Sequence, residues 1–227
     1  MEHDHLGIEN NPKMQKLQME IKIFFTIMGL LLSMGCLQEK FSGITPQPNP
    51  APDFTLNNQF GEKVSLSDFK GKIIVMSFLY TSCPTVCPLI TGKFVDAAKK
   101  LEKSKINNVI FLGISVDPER DTIEAVNKYI ETKDLKDMQF LTGTRDELEI
   151  VWEYYNIYVN KSGYNESNDY EIDHTAIVYV IDKNGDLRIL YPGLKWYPKF
   201  LVSDVNTLLK EEKFLFKLIY DIPDPKK

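Results

Sequence analysis

The chain has 227 residues, 43% hydrophobic and 26% charged, which is enough to bury one sizeable core and too few for two large ones. A net charge of −5 gives no basic footprint, so nucleic acid is not among the expected partners. Three cysteines are too few for a disulfide scaffold and read instead as a close pair plus an unrelated third.

Lys13, Lys16 and Lys22 precede an uncharged, mostly apolar run of 15 residues, Ile23 to Leu37. That is the length of a signal-peptide core or a short anchor; a full membrane span takes about 20 residues. The run ends in Leu32-Ser33-Met34-Gly35-Cys36, similar to a bacterial lipobox except that Ser33 stands where the pattern takes an aliphatic residue. Lipidation of Cys36, an uncleaved anchor and a plain cleaved signal all remain open. Either of the first two tethers the domain in the cell envelope, on the extracytoplasmic face of the cytoplasmic membrane. His3 and His5 lie in the polar leader ahead of the run, and Met14 or Met19 is an alternative start. Pro46, Pro48, Pro50 and Pro52 alternate with other residues and favour an extended polyproline II spacer. The expected organisation is a leader with its hydrophobic signal or anchor at 1–37, a Pro-rich linker at 38–51 and the folded domain at 52–227.

Within that domain, Phe54 to Leu56 and Lys63 to Leu66 flank Gly61 and predict a hairpin. Lys72 to Tyr80 is nearly continuously apolar, as a central strand covered on both faces should be. A helix is expected over Pro84 to Lys103, with Ile90, Phe94, Ala97 and Leu101 on one face. Val109 to Val116 reads as a second buried strand. Asp121 to Thr132 reads as a helix with Asp121 as N-cap, and Arg145 to Tyr155 as another. Asn160 to Asp173 is a polar, turn-rich insertion. His174 to Ile181 is a third strand, joined at Asn184-Gly185 to Leu187–Tyr191 in a hairpin. Pro198 to Lys217 closes the chain as a helix. Strand, helix, strand, helix, then a hairpin and a helix is the order of a thioredoxin-like α/β domain, a mixed sheet flanked by helices.

Chemistry concentrates at Cys83-Pro84-Thr85-Val86-Cys87 and His174, the only imidazole of the predicted domain. Cys83 falls where the central strand ends and a helix begins, with Pro84 suited to the first helical turn. A helix N-terminus favours an anion, so one thiol there should be acidified. Cysteines four apart in a regular helix have Cα atoms about 6 Å apart, inside the disulfide range of roughly 4.4–6.8 Å. Two such thiolates can equally clamp one ion. Common redox pairs are spaced by two residues rather than three, and thioredoxin-like oxidoreductases place a cis-proline where this chain has Asp173-His174-Thr175-Ala176. A histidine there removes a substrate contact and adds a ligand, which favours a soft, low-coordinate metal such as Cu(I) over general disulfide exchange. Zinc prefers a fourth protein ligand, which Asp173 can supply.

Four stretches resemble the Sco/SenC family of copper-binding assembly factors: Tyr80-Thr81-Ser82-Cys83-Pro84-Thr85-Val86-Cys87-Pro88, Ser115-Val116-Asp117-Pro118-Glu119-Arg120-Asp121-Thr122, Leu141-Thr142-Gly143 and Ile172-Asp173-His174-Thr175. The likeness runs from about Pro52 to Leu209. It implies a thioredoxin-like fold with an inserted hairpin near residues 160 to 173. It implies copper, Cu(I) or Cu(II), held by Cys83, Cys87 and His174. It also implies maturation of the binuclear copper site of cytochrome c oxidase, by copper delivery, by thiol reduction, or both. The implied partners are the copper-bearing oxidase subunit and other copper chaperones or thiol reductants. Asp117 matches a family acid close to the site, although an Asp-Pro pair at a strand end also serves simply as a turn. Asp173 is a candidate for orienting His174, and Tyr80 for packing beside the thiols. Thr85 departs from the family, which usually carries an acidic residue there. The resemblance favours a metallochaperone. The alternative is a thiol-disulfide oxidoreductase, or a peroxiredoxin-like peroxidase, acting on envelope proteins.

Overall fold

The structure, a computed structural model, describes residues 41–136, 138–163 and 170–220, together with 15–16, 19–23 and 25 of the leader. Cys36, His3, His5 and most of the apolar run Ile23 to Leu37 lie outside the described residues. No helix among those described is long and apolar enough to cross a membrane.

Among the described residues from Phe41 onward, ten strands, five α-helices and one 3-10 turn (Leu66–Phe69) follow in chain order. The strands are β1 (Asn49–Pro50), β2 (Thr55–Asn57), β3 (Lys63–Ser65), β4 (Ile73–Leu79), β5 (Val109–Ser115), β6 (Met138–Leu141), β7 (Val159–Ser162), β8 (Glu171–His174), β9 (Ile177–Ile181) and β10 (Asp186–Pro192). The helices are α1 (Val86–Lys100), α2 (Lys103–Ile106), α3 (Ile123–Thr132), α4 (Arg145–Tyr154) and α5 (Pro198–Tyr220). Six strands form one mixed sheet in the order β1-β10-β9-β4-β5-β6, while β2–β3 and β7–β8 are separate two-stranded ribbons.

β4 is the centre of the fold because its apolar run leaves neither face free for water. Every residue from Ile73 to Leu79 is buried. It pairs in parallel with β5, from Ile73↔Val109 to Leu79↔Ser115, and antiparallel with β9. Side chains alternate across it. On one face Phe111 of β5 meets Phe94 of α1, with ring centroids 5.4 Å apart. On the other, Phe78 meets Tyr155 at the end of α4 at 5.8 Å. The predicted stripe of α1 is the buried one: Ile90, Phe94 and Ala97 lie against the sheet. α5 contributes Leu201, Val205 and Leu208 to the same core.

The structure departs from the sequence-based expectations at five places. β6 was not anticipated: Met138–Leu141 is short and becomes a strand only by pairing in parallel with β5. α1 begins at Val86 with Thr85 as N-cap, two residues later than expected; Pro88, not Pro84, occupies the first turn, where the missing N–H costs nothing. α3 begins at Ile123, and its N-cap is Thr122, whose side chain accepts from Ala125 N; Asp121 is turned inward. The expected strand His174 to Ile181 is broken at 175–176, so His174 ends β8 instead of starting β9. β7 and β8 do form the inserted hairpin, with Val159 opposite His174 and Ser162 opposite Glu171.

The fifth departure concerns the spacer. The expected linker ran over 38–51, but from Phe41 onward the chain belongs to the compact unit. Ile44 exchanges backbone hydrogen bonds with Leu190 at 2.9 and 2.8 Å, and β1 pairs with β10. Buried Asp204 of α5 accepts from the N–H groups of Ser42 and Gly43 at 2.9–3.1 Å and from the Tyr191 hydroxyl at 2.5 Å. Gly43 fits only without a side chain, since a Cβ there would lie 2.4 Å from Ile189 Cγ2. Asp204→Ala leaves these donors without their acceptor and should cost about 2 kcal/mol. The expected outcome is a lower urea midpoint together with new limited-proteolysis cuts between residues 41 and 51.

Candidate metal centre

The site lies where β4 and β5 end. Cys83 and Cys87 are free thiols, both buried. They do not share a regular helix, as the spacing suggested. Cys83 precedes the N-cap and Cys87 is the second helical residue. The first N–H groups of a helix have no partner within it, and Thr85 offers no side-chain cap. The Cys83 sulfur takes that place, accepting from Cys87 N at 3.4 Å.

This arrangement makes the two thiols unequal. The Cys83 thiol is lowered to about 4, first by the hydrogen bond it receives from the Cys87 thiol, then by the N–H groups of Cys87 and Thr85 and the Tyr80 hydroxyl, all opposing the effect of burial. Cys87 is driven far upward, first because its proton is committed to Cys83 and then by burial. The two shifts run in opposite directions, so Cys83 is the thiol that ionises more readily.

His174 reaches the same rim from β8. Its Nδ1 lies 3.0 Å from the Thr175 carbonyl oxygen. A carbonyl only accepts, so Nδ1 carries the proton and Nε2 keeps its lone pair. Burial lowers its pKa, which favours the neutral, ligating form. The imidazole stands edge-to-face on Tyr80, with centroids 5.9 Å apart. As placed, no group of three His, Cys, Asp or Glu among the described residues is close enough to hold an ion. The thiols and the imidazole are assembled around one tyrosine ring, and closing on a metal requires a further approach of His174.

The acidic candidates fare differently. Asp117 is fully buried, but Arg120 Nε donates to its Oδ2 and the Tyr170 hydroxyl to its Oδ1, the latter at 2.7 Å. Arg120 in turn lies 3.8 Å from the Tyr170 ring centroid and 5.8 Å from that of Tyr80. Asp117 therefore braces the aromatic wall of the site. Asp173 is exposed, and the group that orients the His174 ring is the Thr175 carbonyl. Thr85 sits exposed at the helix N-cap.

Asp121 is the residue that sequence reasoning misplaced. It is 1% exposed and accepts from Thr81 N at 3.0 Å, Thr81 Oγ1 at 2.6 Å and Ser115 Oγ at 2.6 Å. Its backbone carbonyl accepts from Thr142 Oγ1 at 2.6 Å. The carboxylate thus fastens the thiol loop to the end of β5, and the backbone carbonyl of the same residue ties in the end of β6. In sequence it stands beside Thr122, an equally good cap, and nothing local distinguishes the two.

A mixed sheet flanked by helices, with a thiol pair at the turn that follows its central strand, is a thioredoxin-like domain. The SCO1/SenC family profile matches residues 43–210, and the chain belongs to that family. It is 32% identical over 184 residues to a SCO2-like protein of Rickettsia prowazekii, covering 75% of this chain and 89% of that one. It is 34% identical over 134 residues to the human mitochondrial SCO1 homolog, covering 59% of this chain and 44% of the human protein. Among solved structures, copper-bound ScoI of Bradyrhizobium japonicum superimposes with a TM-score of 0.62 at 32% identity, covering 70% of this chain and 99% of that one. The apo Sco1 protein of Thermus thermophilus gives 0.66 at 30% identity, covering 76% and 99%.

Two outcomes follow. Iodoacetamide at pH 6 should label Cys83 and leave Cys87 unlabelled until the protein is unfolded, as peptide mass mapping reads directly. Burial also pushes the Asp121 carboxyl up to about 6 from 3.8. A carboxyl raised in the folded state contributes stability at low pH that is lost as pH rises through its folded value. Relative to Asp121→Asn, the parent should lose on the order of 3 kcal/mol between pH 4 and pH 7, measured by denaturant titration at each pH.

Proposed function

We propose that this chain is an extracytoplasmic copper-binding protein that delivers copper to the binuclear copper site of cytochrome c oxidase. The observation that carries this reading is the donor set. Two buried free sulfurs at the start of α1, with Cys83 Sγ accepting from the Cys87 N–H, and an imidazole with a free Nε2 lie at one rim of the domain. Two soft sulfurs and one borderline nitrogen suit Cu(I), and an added oxygen ligand suits Cu(II). The copper-bound relative ScoI supports the same cargo. Loading displaces the single proton held by the Cys87 sulfur, and release proceeds by exchange onto the acceptor's cysteines. A relative described as a SCO1/SenC family lipoprotein, from Bacillus anthracis, supports attachment to the envelope.

The inequality of the two thiols supports a second activity at the same site, reduction of the acceptor's disulfide. Cys83 thiolate attacks one acceptor sulfur, forming a mixed disulfide and releasing the other as thiolate. Cys87, on losing its proton, attacks Cys83 sulfur and releases the second acceptor thiolate. The dithiol is oxidised to an intramolecular disulfide and the acceptor disulfide becomes two thiols.

Titration of the reduced protein with Cu(I) against a competing chelator tests the first reading. One equivalent should bind. Cys87→Ser should abolish competitive binding, and His174→Ala should weaken it at least about tenfold. Parent-like affinity in both variants would overturn the metal site.

A further inference from the structure

Tyr80 is the first residue after β4, and its place is therefore set by a strand that is buried along its whole length. Its ring is 3% exposed. A buried phenol needs a partner for its hydroxyl. It accepts the Ile172 N–H of β8 at 3.3 Å. At its other end, the Tyr80 carbonyl accepts the Cys83 backbone N–H at 3.3 Å, so one residue is bonded both to β8 and to the Cys83 loop. Ile172 and His174 are two apart on β8 and share its inward face, with Ile172 buried, Asp173 exposed and His174 half-buried. The hydroxyl thus grips the strand two residues from the imidazole, while the ring receives the imidazole edge-on at 5.9 Å.

We propose that Tyr80 is a positioning residue of this site, its hydroxyl setting the reach of His174 to the thiol pair by tying β8 to the Cys83 loop; this rests on the reading of Cys83, Cys87 and His174 as metal ligands. β7–β8 is a two-stranded ribbon outside the main sheet, so little backbone pairing fixes its distance from the end of β4. Aromatic packing alone tolerates sliding. A hydrogen bond to a fixed hydroxyl does not. Shape complementarity between ring and imidazole survives in Tyr80→Phe, so that variant removes the tie and leaves the packing.

The test is a double-mutant cycle of Tyr80→Phe and His174→Ala in the full chain, read by Cu(I) affinity against a competing chelator, together with amide hydrogen exchange at Ile172. Tyr80→Phe should raise Ile172 exchange about tenfold or more while β4 and β5 stay protected. It should weaken copper binding about tenfold in the parent background and leave it unchanged in the His174→Ala background, since a tie that acts through the imidazole has nothing to act on without it. Equal losses in both backgrounds, or parent-like affinity in Tyr80→Phe, would overturn the positioning role while leaving the metal site standing. A parent protein that binds no copper would take down the metal reading and this one with it.

Discussion

A sulfur in place of a helix cap governs this site. Helix α1 begins with N–H groups that its own turns cannot satisfy, and the chain supplies Cys83 Sγ to one of them. Because the acceptor is a thiol, that demand becomes a chemical property: the Cys87 thiol contributes most to lowering the Cys83 thiol, and the N–H groups at the helix start add to it. The Cys87 thiol, one step into the helix and buried, has Cys83 as its acceptor and keeps its own proton. A three-residue spacing achieves this only because Cys83 stays outside the helix. Inside it, the same sulfur would lie one turn away, alongside Cys87 and not across its N–H.

The rim is stiffened by groups with no metal chemistry of their own. Asp121 holds Thr81 and Ser115, and through its backbone Thr142, so the ends of β4, β5 and β6 are drawn to one residue. Trp152 of α4 donates to the Ser115 carbonyl at 3.0 Å and adds the opposite layer to the same knot. Asp117, Arg120 and Tyr170 form a second knot on the side of the inserted hairpin. Two buried carboxylates four residues apart therefore divide the work, one serving the thiol loop and the other the hairpin that brings His174. Burying them costs free energy that their donors only partly return for Asp121, as is common where a fold fixes a reactive geometry.

The two activities proposed for this chain would use the same two sulfurs. Metal binding requires both sulfurs and a nitrogen with a free lone pair, whereas disulfide exchange requires one thiolate and one protonated partner. The opposed shifts of Cys83 and Cys87 favour the second condition, and the first needs His174 and the sulfurs closer together than they stand. Both proposed readings draw on Cys83 and Cys87, and the copper reading adds His174, so neither calls for another surface of this domain.

Much of this was legible in the sequence. The continuous apolar runs of β4, β5 and β9 could only be strands covered on both faces, and the period of α1 named its buried stripe. Cysteines four apart after a central strand, with one imidazole in the domain, marked the donor set, because few residue types bind soft ions. The sequence could not assign residues whose local signals were equally good. Asp121 and Thr122 are both sound caps, and only burial against Thr81 and Ser115 decided between them. β6 had no signal of its own and became a strand because β5 offered an open edge. The Pro-rich stretch carries only local signals, and neither its pairing with β10 nor the hold of Asp204 on Ser42, some 160 residues away, can be read from them. Residue type and periodicity are local properties and can be read along the chain. Which thiol ionises, which carboxylate is buried and which carbonyl orients the imidazole depend on atoms brought together from distant positions, and only the tertiary structure decided them.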